Sequence, residues 1–296
     1  MERPTETAVA SLDRPKPTIP EPARPLTFEE LLKKAKESKD PAVGLPLYAT
    51  LLERVKAREA DLEPIELYSR VLGPALALAN DLKPGDAPKV DETVMTLFAA
   101  KGRLLRENPY ESWEFGREVM LEAAAAYEDA IRFFPTGRKN RSLAELYTGQ
   151  GIALTRARSL PPAKLLESIH AISEKAIDAA PDYAGGWNLR GYGFSFQASQ
   201  ALGDLEFEVA TFGQLPRIFP VALLNEAITA YDQAIQKAQS MGADENLPSY
   251  LTNRSSALLL LGYCQIDLAQ RRLRFEAAEA DARQATELAR NYDLAW

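Results

Sequence analysis

Residues 181–194 read Pro181-Asp-Tyr-Ala-Gly-Gly-Trp187-Asn-Leu-Arg-Gly191-Tyr-Gly-Phe194, and residues 225–235 read Asn225-Glu-Ala227-Ile-Thr-Ala-Tyr231-Asp-Gln-Ala234-Ile. Their spacing predicts the two helices of one hairpin. Two helices reach van der Waals contact only where one of them presents a small side chain. Gly191 and Ala227 therefore mark the expected closest crossing, and the large aromatic side chains are expected to fill the space around it.

The same spacing of small and large residues recurs three more times. The first helices of these units carry Phe98, Gly102 and Leu105, then Tyr147, Gly151 and Leu154, then Leu251 and Leu258; the second helices carry Ala123, Tyr127 and Ala130, then Ile169, Ser173 and Ala176, then Ala278, Ala282 and Ala285. The steps from Ala176 to Trp187 and from Ala285 to Trp296 are both 11 residues. One hairpin leaves an apolar face open, so stacked neighbours must cover it. The sequence therefore predicts an all-α solenoid of antiparallel helical hairpins.

This pattern resembles the tetratricopeptide repeat (TPR) family, whose unit pairs two antiparallel helices in about 34 residues. The family places large, glycine and large residues at positions 4, 8 and 11, and alanine, aromatic and alanine residues at positions 20, 24 and 27. Here these are Trp187, Gly191 and Phe194, then Ala227, Tyr231 and Ala234. The resemblance covers about four irregular repeats over residues 95–296. One departure is large, because 24 extra residues separate the two helices of the repeat that begins near Pro181.

The chain before the repeats divides into two predicted segments. Residues 1–26 contain six prolines and almost no large apolar residue, which predicts a disordered, proline-rich tail. Thr27 and Glu30 form a capping box, so ordered structure is expected to begin there. Residues 27–88 are predicted to be a helical cap or a degenerate repeat, with Gly73-Pro74 kinking or ending its third helix. Residues 89–296 form the predicted TPR-like solenoid.

Two features of the solenoid are irregular. An insertion near residues 201–220 carries Phe207, Phe212 and Phe219, and we expect it to be a loop. Such aromatic side chains are costly to leave in water, so the loop either folds back on the solenoid or binds a partner. Trp296 occupies the first aromatic position of a further repeat, so we expect the natural polypeptide to continue or its end to dock as a cap.

Composition limits the classes of partner. The 296 residues are 46% hydrophobic, enough for a substantial core, and carry a net charge of −7. Nucleic acids and anionic membranes both select a concentrated positive field, so neither is expected as a partner. No uninterrupted apolar stretch approaches the length needed to span a membrane, so no membrane insertion is expected. The single cysteine excludes an intrachain disulfide and fits a reducing compartment, and a cytoplasmic location is expected.

The residues that most often carry chemistry are scarce. His170 is the only histidine and falls beside a close-packed position, so we expect a structural imidazole. Cys264 ends an apolar helix and has no second histidine to activate it, so a packed side chain is expected. No glycine-rich phosphate loop precedes a Lys-Ser or Lys-Thr pair. We therefore expect no catalytic residue, no cofactor, no metal and no enzymatic activity.

Two basic clusters lie at predicted turns. They read Arg138-Lys139-Asn140-Arg141 and Arg271-Arg272-Leu273-Arg274. The first interpretation is that both clusters are solvated, as charge runs at turns commonly are. Contact with an acidic tail of a partner is the alternative.

The resemblance implies a protein-binding function. Solenoids of this family hold peptides or partner domains in a concave groove lined by the first helix of each hairpin. Carried residue by residue onto this chain, the groove residues include Thr148, Ile152, Arg156, Asn188, Tyr192, Phe196, Thr252, Ser256 and Leu259. Lysines that clamp a carboxylate in some family members are missing, so an apolar or mixed segment is the expected ligand.

Three functions remain open at this stage. The first is an adaptor or scaffold that binds a peptide or partner domain. The second is a structural subunit of a larger assembly, which would expose apolar patches on several faces. The third is the regulatory repeat region of a longer enzyme, suggested by the position of Trp296 in the repeat pattern.

Overall fold

A computed structural model describes residues 25–85, 88–107, 113–157, 161–212, 220–242 and 246–291, with side chains at 88–89, 113–115, 204–212 and 290–291 excepted. Regular structure in these ranges is entirely helical, which confirms the all-α prediction. Most of the predicted tail and Trp296 lie outside them. The helices are α1 Phe28–Glu37, α2 Pro41–Lys56, α3 Pro64–Leu67, a π-helical turn Tyr68–Leu72, α4 Gly73–Ala79, α5 Pro88–Glu107, α6 Trp113–Arg132, α7 Arg141–Ala157, α8 Pro162–Ala179, α9 Ala184–Phe212, α10 Val221–Ser240, α11 Leu247–Cys264 and α12 Leu268–Asn291.

The helices from α5 onward pack as consecutive pairs. The pairs are α5 with α6, α7 with α8, α9 with α10, and α11 with α12, and each pair packs on the next through neighbouring helices. A hairpin that shares its apolar face only with its neighbours forms a one-dimensional stack. The architecture is therefore solenoid-like, as the spacing of small and large residues predicts.

The two helices of each pair occupy different layers. The first helices contact one another along the stack, α5 with α7, α7 with α9, and α9 with α11. Second helices have no comparable contact with one another within the part of the chain that the structure describes. The first helices therefore form a continuous layer along the stack. We call the surface formed by α5, α7, α9 and α11 the inner face.

Glycines mark the closest helix crossings. A methyl group on Gly191 would lie 2.7 Å from the ring of Tyr231, and one on Gly102 would lie 2.9 Å from the ring of Tyr127. Both contacts join the glycine and the aromatic residue of one predicted hairpin. Gly151 serves a different contact, since Leu189 of the next first helix packs against it. Small residues therefore set the approach of helices both within and between pairs.

The N-terminal segment shares a core with the first pair. The capping box is confirmed, because the Glu30 amide donates to the Thr27 hydroxyl at 3.3 Å and the Thr27 amide donates to the Glu30 carboxylate at 2.8 Å. Buried side chains of α1, α2, the π-helical turn and α4 form one cluster with Val94 and Leu97 of α5 and with Phe133. Helices α1 to α4 therefore extend the stack and cover one end of it.

Gly73-Pro74 does not end the third helix. Helical backbone continues from α3 through the π-helical turn into α4. The Gly73 amide donates to the Tyr68 carbonyl, five residues earlier, and Pro74 has no amide hydrogen to donate. One backbone hydrogen bond is therefore missing at Pro74, and the wider π-helical turn accommodates this loss while the helix continues.

The prediction of a loop near residues 201–220 is wrong for the first half of that range. Helix α9 continues to Phe212, so positions 207 and 212 lie on a helix, whereas Phe219 lies outside the described residues. The physical reason is composition, because residues 197–212 contain no proline and only one glycine. The first proline of the insertion is Pro216.

The last pair departs from the predicted pattern at one position. Ala278 and Ala285 of α12 are buried as predicted, but Ala282 is exposed. Its neighbour Asp281 is buried instead, with 5% of its surface accessible. Helix α12 therefore turns a carboxylate toward α11 where the pattern placed a methyl group.

Candidate functional site

Helix α9 presents an aromatic pair on the inner face. Tyr192 and Phe196 lie one helical turn apart, with ring centroids 6.4 Å apart and ring planes inclined by 12°. Both side chains are half-buried, and they pack with Ile152 of α7 against a core that contains Leu165 and Ile169 of α8. Rings held in this way keep part of their surface accessible while their orientation is fixed by packing.

Helix α7 presents little accessible surface, because α5, α6, α8 and α9 all contact it. Thr148 is only 5% exposed, and its hydroxyl has no hydrogen-bond partner among the described residues. Ile152 is half-buried. Arg156 is exposed and donates to the Arg106 carbonyl at 3.1 Å. Of the groove residues predicted on α7, only Ile152 and Arg156 therefore contribute to the surface.

Helix α11 contributes an exposed stripe. Thr252, Ser256 and Leu259 are spaced four and three residues apart, so they share one side of the helix. The Thr252 hydroxyl donates to the Pro248 carbonyl, and the Ser256 hydroxyl donates to the Thr252 carbonyl. Leu259 leaves 42% of its surface exposed. The stripe changes from polar to apolar toward the end of the helix.

Asn188 links the two accessible parts of the inner face. Its side-chain carbonyl accepts a hydrogen bond from the Asn253 amide at 3.0 Å, which joins α9 to α11. Behind it, the Tyr231 hydroxyl contacts Ser195 at 3.4 Å, and burial raises the pKa of Tyr231. The inner face thus consists of an aromatic pair on α9, an amide contact, and a hydroxyl-bearing stripe on α11.

Sequence reasoning missed the charged network beneath this surface. Arg254 donates from Nε and Nη2 to the two carboxylate oxygens of Asp281, both at 2.7 Å, and from Nη1 to Asp232. The hydrogen bonds to Asp281 are the main reason that the pKa of Arg254 is raised. This network ties α10, α11 and α12 together. Nothing in the local sequence signals it, because the partners lie 22 and 27 residues from Arg254.

His170 and Cys264 occupy packed positions. The His170 ring is half-buried and contacts Phe194 edge-on, with centroids 4.6 Å apart. Burial, with a smaller contribution from Arg190, lowers its pKa and favours the neutral imidazole. Cys264 is 5% exposed, and burial raises the pKa of its thiol, which disfavours the reactive thiolate. Among the described residues no cluster of three histidine, cysteine or acidic side chains could hold a metal ion.

The two basic clusters differ in their surroundings. In the first cluster Lys139 pairs with Asp178 at 2.7 Å and Arg141 pairs with Glu145 at 2.9 Å. In the second cluster Arg271 donates to the Gln265 carbonyl and Arg272 pairs with Glu276 on the next turn of α12. Both clusters therefore make polar contacts within the chain itself.

Comparison with known proteins gives no match, either to a protein-family model or to a curated protein. Within the described ranges, no helix combines the length and apolar character that crossing a membrane requires.

Proposed function

We propose that this protein is a TPR-like adaptor or scaffold that holds a peptide or partner domain along its inner face. The observation that supports it most is the fixed, half-buried Tyr192–Phe196 pair beside the exposed stripe of α11. The contacts of Gly191 with Tyr231 and of Gly102 with Tyr127 support the family assignment, because they join the two positions that the repeat keeps small and large. The cytoplasm, where a lone cysteine stays reduced, is the proposed location.

The chemistry of the inner face suits a segment with mixed character. An apolar side chain of the partner packs on Tyr192 and Phe196, where desolvation of an aromatic surface supplies most of the binding energy. Backbone or polar groups of the same segment meet the hydroxyls of Thr252 and Ser256. Leu259 provides a second apolar contact at the other end of the stripe.

A structural subunit of a larger assembly is the second candidate function. The observation that favours it is a group of exposed apolar side chains around the turn between α11 and α12. A subunit that is buried in a permanent complex exposes such surface when it is alone.

Replacing Thr252 with arginine is expected to abolish retention of the partner in affinity capture from cell extract, measured by quantitative mass spectrometry. The bulky charge fills the stripe of α11, and a disrupted interface centre costs about 2 kcal/mol or more, roughly thirtyfold in affinity. Thr252 is exposed and its hydroxyl donates to the Pro248 carbonyl of the same helix, so the fold is expected to remain intact.

Thr229→Arg is the matched control. Thr229 is also exposed, and its hydroxyl donates to the carbonyl four residues earlier, but it lies on the second helix α10. Its capture profile is expected to equal that of the wild type. Equal losses in the two variants, or unchanged capture by Thr252→Arg, would place the binding surface elsewhere.

A further inference from the structure

The turn between α11 and α12 exposes a concentration of apolar surface. Tyr263, Ile266 and Leu268 have 65%, 85% and 74% of their surface accessible. Nine large apolar residues of the described chain are exposed, and three of them fall within six consecutive positions. Exposed apolar residues scattered singly are ordinary, whereas a concentration of them marks an interaction surface. We call these three residues the terminal patch.

Packing beneath the turn explains why Tyr263 points outward. Leu261 and Cys264 of α11 face the core that Ala198 and Leu224 form. Tyr263 stands on the other side, where its ring meets Phe275 edge-on with centroids 5.3 Å apart. Phe275 reaches this position because Gly262 has no side chain. The orientation of Tyr263 is therefore supported by a fixed neighbour.

Three guanidinium groups border the terminal patch. Arg271 donates to the Gln265 carbonyl at 2.7 and 3.1 Å, which holds it against the turn. Arg272 pairs with Glu276, and an exposed pair of this kind contributes little to stability. The Nε atom of Arg274 is buried and makes no hydrogen bond within the described part of the chain. Arg271 and Arg272 therefore place guanidinium groups beside the terminal patch on a chain whose net charge is −7.

We propose that the terminal patch docks an acidic, amphipathic segment of a second protein. Apolar side chains of that segment cover Tyr263, Ile266 and Leu268, and its carboxylates pair with the arginines at the border. Aromatic and arginine side chains are the types enriched at protein interfaces, and complementary charge fixes the orientation of the partner. Tyr263 follows Leu259 by one turn of α11, so the terminal patch adjoins the inner face. The proposal nevertheless requires no ligand on Tyr192 or Phe196.

The charges of the arginines and of the whole chain also favour an acidic segment over two other possible occupants of the patch. A second copy of the chain would meet the patch through a two-fold axis and would bring like arginines together. An anionic membrane would be repelled by the net charge of the remainder of the molecule. An acidic segment meets neither obstacle.

The experiment is a selection of phage-displayed random peptides against the full chain, with the Tyr263→Ser/Ile266→Ser variant as the counter-target. We expect the enriched peptides to combine acidic and apolar residues. A synthetic copy of the strongest binder is expected to lose at least tenfold in affinity for the double variant and for Arg272→Glu, and to bind more weakly as salt rises. Met241→Ser, which alters an exposed apolar residue on another turn, is expected to bind like the wild type.

Four results would overturn the proposal. The first is enrichment of basic or uncharged peptides, or of none that distinguishes the double variant. The second is a dimer in light scattering that the double variant abolishes, since this assigns the patch to a second copy. The third is binding to vesicles of anionic lipid that the double variant loses. The fourth is competition by a synthetic peptide of residues 201–220 stronger than that of any selected peptide, since this assigns the patch to the chain's own insertion.

Discussion

Arg254→Leu is expected to lower the free energy of unfolding by about 3 to 5 kcal/mol, because it leaves a buried carboxylate without its cation. Asp281 is 5% exposed, and both of its oxygens accept hydrogen bonds from Arg254. Asp232 is half-exposed, so water can solvate its carboxylate once the guanidinium group is removed. Urea unfolding followed by circular dichroism measures the change.

Two further variants separate the buried pair from ordinary surface charge. Arg254→Leu/Asp281→Leu removes both partners together, and we expect it to recover most of the lost stability, because no uncompensated charge remains. Arg272→Leu breaks an exposed pair and is expected to shift stability by no more than about 0.5 kcal/mol. If Arg254→Leu and Arg272→Leu unfold at the same urea concentration, the network does not join α11 to α12 in solution.

Gly191→Leu is expected to destabilise the protein by about 1 to 3 kcal/mol or more through overpacking at a helix crossing. A β-carbon at this position would already lie 2.7 Å from the buried ring of Tyr231. The ring cannot move aside easily, because Ala227 and Ala257 pack around it. The same urea titration measures the effect.

Gly203→Leu is the matched control for this substitution. Gly203 lies on the same helix α9 and is exposed, and an added β-carbon there would meet none of the described heavy atoms within 4 Å. Replacing an exposed helical glycine gains up to about 1 kcal/mol from helix propensity. The two variants are therefore expected to shift stability in opposite directions. Indistinguishable unfolding curves would show that Gly191 does not lie at a crossing.

The helix crossings were predictable because their signal is periodic and local. Gly191 and Tyr231 fall at the small and aromatic positions of one predicted hairpin, and Gly102 and Tyr127 fall at the same positions of another. The capping box at Thr27 is a signal of four residues. Small and large residues at regular intervals thus define which faces of successive helices meet.

Other features depend on residues that are distant in sequence. The burial of Asp281 follows from Arg254, 27 residues away, and no spacing rule connects the two positions. The exposure of Ala282 is the consequence, because α12 presents its carboxylate to α11. The prediction of a loop after Ala201 relied on the family spacing, whereas the local helix propensity of the inserted residues decided the outcome.

The candidate site was predictable in part. The repeat pattern indicated which side of α9 and α11 carries Tyr192, Phe196, Thr252 and Ser256. It could not indicate how far neighbouring helices cover that side, and Thr148 is buried because four helices surround α7. The sequence indicated only the basic cluster beside the terminal patch. It could not indicate that Tyr263 and Ile266 are exposed, since that depends on how the helices pack around the turn.

Site-specific photo-crosslinking tests the central claim most directly. A benzoylphenylalanine placed at Ser256 on the inner face, or at Thr229 on α10, is irradiated in cell extract, and crosslinked proteins are identified by mass spectrometry. Both positions are exposed, so neither probe disturbs the core. The account predicts that the probe at Ser256 captures a partner protein and that the probe at Thr229 does not. Capture from the probe at Thr229 alone would contradict the account and would assign binding to the second helices of the pairs.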